Sequence, residues 1–226
     1  MEFNAIILAG GRSARLGGTP KAALTHDGAT LIALSLAAAR GAGTAVVVGP
    51  DPGPLPAGVL SCREDPPFSG PAAAIAAGLA ALKRSGAPQP PFTLVLACDM
   101  PKVAGAVRAL AEALDIRSVA GSGTGLAEAA AAAESAGAGG AGSGGVMAAS
   151  QDGRKQPLVG FYGTPGLDQA VQDAEARGAL ADGSVFALLA SLDVQVVTVP
   201  AGSTDDVDTW DDAAALGVAG QQPSGW

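Results

Sequence analysis

Arg15 and Lys21 stand, together with Arg12, in a glycine-rich stretch that follows a short apolar run: Leu8-Ala9-Gly10-Gly11-Arg12-Ser13-Ala14-Arg15-Leu16-Gly17-Gly18-Thr19-Pro20-Lys21. Glycine lets the backbone take positive φ and approach a ligand with no Cβ in between. Successive backbone amides in such a loop form an anion-binding concavity, and Arg15 and Lys21 add full positive charge around it. The chemistry expected is polyphosphate binding. Two common phosphate loops do not match. No glycine precedes Lys21 directly, as a Walker A motif requires, and the glycines are adjacent where a dinucleotide fingerprint needs Gly-x-Gly-x-x-Gly. A nicotinamide-dependent oxidoreductase therefore lacks its signature here.

Asp99 is the second chemical group. It ends the apolar run Leu94-Val95-Leu96-Ala97-Cys98-Asp99-Met100-Pro101, and ligands of open α/β sheets collect at the carboxyl ends of strands. A carboxylate there, opposite a phosphate loop at the end of the first strand, is well placed to hold Mg²⁺, which prefers hard oxygen ligands. The alternative is an N-cap for the helix that follows. The densest acidic run is Asp205-Asp206-Val207-Asp208-Thr209-Trp210-Asp211-Asp212. Thr209 with Asp212 three residues on has the spacing of a capping box. Asp206 and Asp208, upstream, are left unexplained by a cap.

The N-terminal stretch resembles the signature Leu-Ala-Gly-Gly-x-Ser-x-Arg-Leu-Gly, with lysine six residues after the arginine, of the molybdenum cofactor guanylyltransferases, which have a Rossmann-like nucleotidyltransferase fold. The resemblance implies Mg²⁺-dependent transfer of GMP from GTP to the phosphate of molybdopterin or molybdenum cofactor, with release of pyrophosphate. It implies nucleotide binding by Leu8, Ala9, Gly10, Gly11, Arg15, Lys21, Asp65, Gly70 and Asp99, with Arg15, Lys21 and Asp99 catalytic. It implies metal binding by Asp99 and Asp208. Asp206, upstream of Asp208, is expected on the other side of an extended chain and to matter less to the metal. The resemblance puts Arg154, Lys155, Gln156 and Pro157 beside the acceptor.

The chain departs from that family in three places. It has Gly70-Pro71-Ala72-Ala73-Ala74 for Gly-Pro-Leu-Ala-Gly, Asp206 and Asp208 for two asparagines, and Pro20 before Lys21 where aspartate is common. Proline-lysine is commoner in sugar-phosphate and cytidylyl relatives. Cytidylyl transfer to molybdopterin, or nucleotidyl transfer to a sugar phosphate, is thus the alternative of the same class. A nucleotide-binding partner protein without turnover is the alternative of another class.

The elements that must position these residues alternate in type. Strands are expected at 5–8, 44–48, 59–62, 92–97, 145–150, 157–162 and 194–199. Helices are expected at 30–39, 70–83, 103–114, 166–177, 185–192 and 211–216. Apolar alternation and helical periodicity give these assignments, Pro71 suits the first turn of its helix, and Asp152-Gly153 signals a hairpin. The pattern implies βαβ units: an α/β fold, one three-layer Rossmann-like domain over 1–219, its sheet mostly parallel with one antiparallel strand or hairpin. Residues 118–145 are almost all Ala, Gly and Ser and read as a mobile insertion with a short helix at 126–135. Residues 220–226 read as a tail.

Composition narrows partners. At 226 residues with 48% hydrophobic content there is enough apolar material for one core, and a net charge of −8 argues against a nucleic-acid partner. Cys62 and Cys98, the two cysteines, have no metal or redox spacing and read as buried free thiols. The one histidine, His26, lies in a polar His-Asp-Gly turn and reads as solvated. No signal peptide and no membrane-spanning run are visible, so a cytoplasmic protein with no membrane partner is expected.

Overall fold

Successive side chains of a strand point to opposite sides, so the unbroken apolar runs of the central strands cover both faces of one sheet. The computed structural model describes residues 1–11, 13–50, 53–122 and 144–220, with only the backbone described at 117–122. In chain order the strands are β1 (Phe3–Leu8), β2 (Thr25–His26), β3 (Ala29–Thr30), β4 (Ala45–Val48), β5 (Leu60–Cys62), β6 (Phe92–Ala97), β7 (Gly144–Ala149), β8 (Lys155–Gly163), β9 (Asp193–Thr198) and β10 (Val218–Ala219). The helices are α1 (Leu31–Ala38), α2 (Gly70–Arg84), α3 (Val103–Ser122), α4 (Thr164–Ala176), α5 (Val185–Leu188) and α6 (Trp210–Ala215).

A seven-stranded sheet has the order β5-β4-β1-β6-β8-β7-β9. Its strands are parallel except β8, which runs against both β6 and β7. Ala5, Ile7, Val47, Leu94 and Leu96 pack on one face with Ile32 of α1 and Val103, Val107 and Leu110 of α3. Ile6, Val46, Val48 and Val95 pack on the other with Ile75 and Leu79 of α2, Leu167 of α4 and Val185 of α5. Helices on both faces make three layers around a mostly parallel sheet, as the alternating sequence pattern predicts. Gly78 lets α2 lie close to β1, because a Cβ there would stand 2.7 Å from Ile6 Cγ2.

Three local features differ from the expectation. Helix α3 continues to Ser122, past its expected end at 114 and into the segment read as an insertion from 118. The sequence there includes Val119 and Ala120 and no proline, so nothing stops the helix. Most of that segment, its expected helix at 126–135, and all but the first residue of the tail lie outside the described residues. A small three-stranded sheet, β10-β2-β3, has no counterpart in the expected elements. Asp27 (φ 50°) and Gly28 (φ 79°) form its hairpin turn, which an Asp-Gly pair favours. His26 is consequently a strand residue, its Nδ1 3.3 Å from the Gly217 carbonyl oxygen, and its side chain is only 14% exposed. It is not a solvated turn histidine.

Candidate active site

The phosphate-type loop starts where β1 leaves the sheet. The Ala9 amide donates to the Val48 carbonyl, 2.8 Å away, and the chain then turns through Gly11 (φ 124°) and Ser13 (φ 44°). Leu16 anchors the loop in a separate apolar cluster with Leu24, Leu31, Val207 and Val218. The Gly10 and Gly11 amides have no hydrogen-bond partner among the described residues. Gly49, at the end of β4, is a supporting residue that the motif alone did not disclose. A Cβ on it would lie 2.7 Å from the Ala9 carbonyl carbon and 2.9 Å from the Gly10 nitrogen. Only glycine admits that backbone-to-backbone approach.

Lys21 reaches back from the loop to two carboxylates. Its Nζ is 3.0 Å from Asp99 Oδ2 and 2.5 Å from Asp208 Oδ1. Arg15, 75% exposed, is more loosely attached, 4.0 Å from Asp208 Oδ2. The segment carrying Asp208 is stapled to β6 by a main-chain bond, Val207 N–H to the Asp99 carbonyl, 3.0 Å. Val207 is fully buried. Residues i and i+2 of an extended chain share a face, so Asp206 and Asp208 both turn toward Asp99, and the expectation that Asp206 faces away is corrected. One oxygen from each of Asp99, Asp206 and Asp208 lies within 4.8 Å of the others. Asp99 Oδ1 is buried and has no partner among the described residues. Three hard oxygen donors with one unsatisfied oxygen fit a small divalent cation.

Burial pushes the Asp99 carboxyl up; the Lys21 ammonium opposes this, and Asp206 adds to it. Burial works against the Lys21 ammonium, but Asp99 and Asp208 outweigh it and hold its pKa above the ordinary lysine value. Each group thus favours the charged form of the other.

Two cavities meet at Lys21. One, about 240 Å³, is lined by Leu8, Gly10, Gly11, Lys21, Glu64, Phe68, Gly70, Pro71, Ala74 and Asp99 among others. The second, about 390 Å³, adds Ala9, Ser13, Gly18, Pro20 and Pro50. Gly70 starts α2 at φ 87°, and Ala74, where the family pattern has glycine, lines the same wall. Asp65 is not brought here. It is exposed and lines a different groove, with Arg63 and Ser69. Its neighbour Glu64 lines the cavity instead; a single acidic pair at a strand end does not disclose which member turns inward.

A third cavity, about 520 Å³, lies beyond the acid cluster and is lined by Ser150, Asp152, Arg154, Gln156, Gly202, Asp205, Asp206 and Asp212 among others. Arg154 donates to Asp206 Oδ1 at 3.1 Å. Lys155 and Pro157 are not among its lining residues, because alternate positions of β8 face opposite ways. The Pro157 carbonyl instead accepts from the buried Tyr162 hydroxyl, 2.7 Å. The Thr209–Asp212 capping box is complete at the start of α6. Cys98 is buried and Cys62 half-buried, both free.

A glycine-rich loop after the first strand of a three-layer, Rossmann-like sheet faces carboxylates from two later segments. The chain belongs to the MobA-like NTP transferase domain family, whose model matches residues 5–196, and it is a nucleotidyltransferase. No curated relative matches the chain. Its fold is similar to that of a Mycobacterium tuberculosis Rv0371c homologue from Mycobacterium sp. strain JC1, with 21% identity over 95% of this chain and 94% of that one, TM-score 0.62. Molybdopterin-guanine dinucleotide biosynthesis protein A from Archaeoglobus fulgidus is 18% identical over 94% and 96%, TM-score 0.57. The 2-C-methyl-D-erythritol 4-phosphate cytidylyltransferase of Thermus thermophilus is 21% identical over 96% and 97%, TM-score 0.59.

Proposed function

We propose that this nucleotidyltransferase moves GMP from GTP to the terminal phosphate of molybdopterin or its molybdenum form. The convergence of Lys21 on Asp99 and Asp208, between the glycine loop and the third cavity, carries this reading. An acceptor phosphate oxygen attacks the α-phosphorus of the triphosphate. The bond from that phosphorus to the bridging oxygen breaks, and pyrophosphate leaves. The attacking oxygen is already anionic, so no strong general base is needed; His26 hydrogen-bonds within the small sheet. The work is alignment and charge stabilisation. The Gly10 and Gly11 amides, Arg15 and Lys21 would take the charge of the triphosphate and the departing pyrophosphate. Asp99, Asp208 and Asp206 would hold Mg²⁺, which supplies further charge neutralisation on phosphate oxygens.

The third cavity supports an acceptor with both a phosphate and N–H donors. Arg154 suits the phosphate, and Asp152, Asp205 and Asp212 suit the amino and ring N–H groups of a pterin. A second reading, cytidylyl transfer to a sugar-type phosphate, draws support from Pro20 before Lys21 and from comparable fold similarity to the Thermus enzyme. Thermal shifts with each of the four nucleoside triphosphates and Mg²⁺ separate them. GTP should raise the melting temperature most, since a bound ligand stabilises by mass action. Pyrophosphate release with molybdopterin as acceptor then completes the test. A largest shift with CTP favours the second reading.

A further inference from the structure

The third cavity presents an anionic acceptor with a charge problem. Among the described residues Arg154 is the one cation lining it, and Asp152, Asp205, Asp206 and Asp212 line it too. That cation is already engaged, because Arg154 Nη2 donates to Asp206 Oδ1 at 3.1 Å. Each acid of the neighbouring cluster has an internal cation in this way. Lys21 serves Asp99 and Asp208, Arg15 approaches Asp208, and Arg154 serves Asp206. Asp206 therefore belongs to two sites at once. One of its oxygens lies within 4.8 Å of ligand atoms on Asp99 and Asp208, while its carboxylate also neutralises the arginine of the cavity. A second hold on the guanidinium comes from Gln156. Its amide oxygen, turned toward Arg154, accepts from Nε at 3.1 Å and from Nη2 at 2.8 Å. Gln156 is neutral, so it orients the guanidinium without cancelling its charge.

We propose that Asp206 is a metal-operated latch on Arg154, holding the guanidinium back from the acceptor phosphate until the carboxylate is committed to a divalent cation. This rests on the acid cluster being the Mg²⁺ site and the third cavity the acceptor site. The relative strengths favour the exchange. The Arg154 side chain is 63% exposed and that of Asp206 30%, and an ion pair so open to water is weak and screened by salt. Asp206 gains more from a divalent cation shared with Asp99 and Asp208 than from one solvated guanidinium. Once Asp206 is so committed, Arg154 loses its counter-charge, while the Gln156 bonds keep it on the cavity wall. Its fork of N–H donors is then free to take a phosphate bidentately. Before that exchange, an acceptor phosphate meets the charge of Asp152, Asp205 and Asp212 and an arginine already neutralised. Acceptor engagement thus follows metal. Asp206 is a positioning residue in this role, since it acts on the acceptor through Arg154.

The test treats the full chain with phenylglyoxal, which modifies guanidinium groups, and reads the rate at Arg154 against exposed Arg40 by mass spectrometry. Mg²⁺ alone is the first probe, with KCl at equal ionic strength as control. Arg154 of wild type should label about two- to fivefold faster in Mg²⁺, the span of one exposed ion pair. Asp206→Asn, which removes the counter-charge, should label at the fast rate with or without Mg²⁺. Inorganic phosphate is the second probe. It should protect Arg154 of wild type only when Mg²⁺ is present, and Arg154 of Asp206→Asn under both conditions. Calorimetry measures Mg²⁺ binding alongside. Mg²⁺ binding with no change at Arg154, or a Mg²⁺ effect that persists in folded Asp206→Asn, would overturn the latch and leave the metal site standing. Absence of Mg²⁺ binding would overturn the metal reading and the latch with it. Labelling that responds to Mg²⁺, with no protection by phosphate in either protein, would overturn the part given to Arg154 at the acceptor. Should Asp206→Asn not fold, wild type with and without Mg²⁺ decides alone.

Discussion

The Lys21 ammonium lies between Asp99 and Asp208, 3.0 Å from one carboxylate and 2.5 Å from the other. One monovalent cation thus already occupies the electrostatic centre that three carboxylates create. For Lys21 to meet a triphosphate, a second cation must take over the carboxylates. Nucleotide and metal binding are therefore expected to be coupled through this side chain.

Asp99→Asn should keep the fold and lose turnover, because an amide is a weaker ligand for a hard cation. Circular dichroism and pyrophosphate release together check this. Near-normal release from a folded variant would remove Asp99 from the metal site.

Lys21→Ala and Arg15→Ala should differ in kind. Both should lower kcat/KM for the triphosphate, by about 1.5–3 kcal/mol per lost charged hydrogen bond. Only Lys21→Ala should also move the melting temperature, since it strips the partly buried Asp99 of its counter-charge, whereas Arg15 is 75% exposed. Unchanged kcat/KM in both variants would sink the triphosphate role of the loop.

Asp208→Asn and Asp206→Asn should both raise the Mg²⁺ concentration needed for activity, because both oxygens face Asp99. Asp206→Asn should additionally change the KM of the acceptor, because it alters the partner of Arg154. A Mg²⁺ titration of initial rates is the measurement. Curves that overlay wild type for both variants would leave Asp99 as the only protein ligand.

Gly49→Ala should destabilise by about 1–3 kcal/mol, the usual cost of forcing atoms into a packed site, and should weaken nucleotide binding by displacing Ala9 and Gly10. Gly153→Ala is the control. It shares a positive φ, yet a Cβ there meets nothing within 4 Å. Equal nucleotide affinity in the Gly49 variant and wild type would separate β4 from the loop.

Cys98 should resist alkylation in the native protein. Burial pushes its thiol up to about 12, so the reactive thiolate at pH 8 is only about one part in ten thousand. Mass spectrometry after iodoacetamide should show Cys62, which is half-buried, modified first. Rapid native labelling of Cys98 would contradict its packing.

The fold was largely legible because the information is local. Ala5 to Leu8, Val46 to Val48 and Leu94 to Ala97 are apolar without a break, as strands covered on both faces must be. The loop and Asp99 were legible for the same reason, since each sits directly at a strand end. What was hidden depends on long-range geometry. The two-residue strands at His26 and Val218 are too short for any periodicity, although Asp27-Gly28 was a hairpin signal. Which of Glu64 and Asp65 turns inward depends on how the segment between β5 and α2 packs. Gly49 is needed only because β4 and the β1 loop come into contact. That Asp206 joins the acid cluster follows from Val207 being buried, which the run of aspartates obscures.

The bond from Val207 N–H to the Asp99 carbonyl gives this site an order of assembly. The glycine loop, Gly49, Glu64 and Asp99 all belong to the first half of the chain, on the adjacent strands β5, β4, β1 and β6. The other acids arrive only after β9 has been added at the opposite edge of the sheet. A chain growing from its N-terminus therefore carries the glycine loop, Gly49 and Asp99 well before Val207 and Val218, which pack on Leu16 of that loop. The same late segment that brings the last carboxylates also finishes the anchoring of the loop, so both halves of the site are completed together and last.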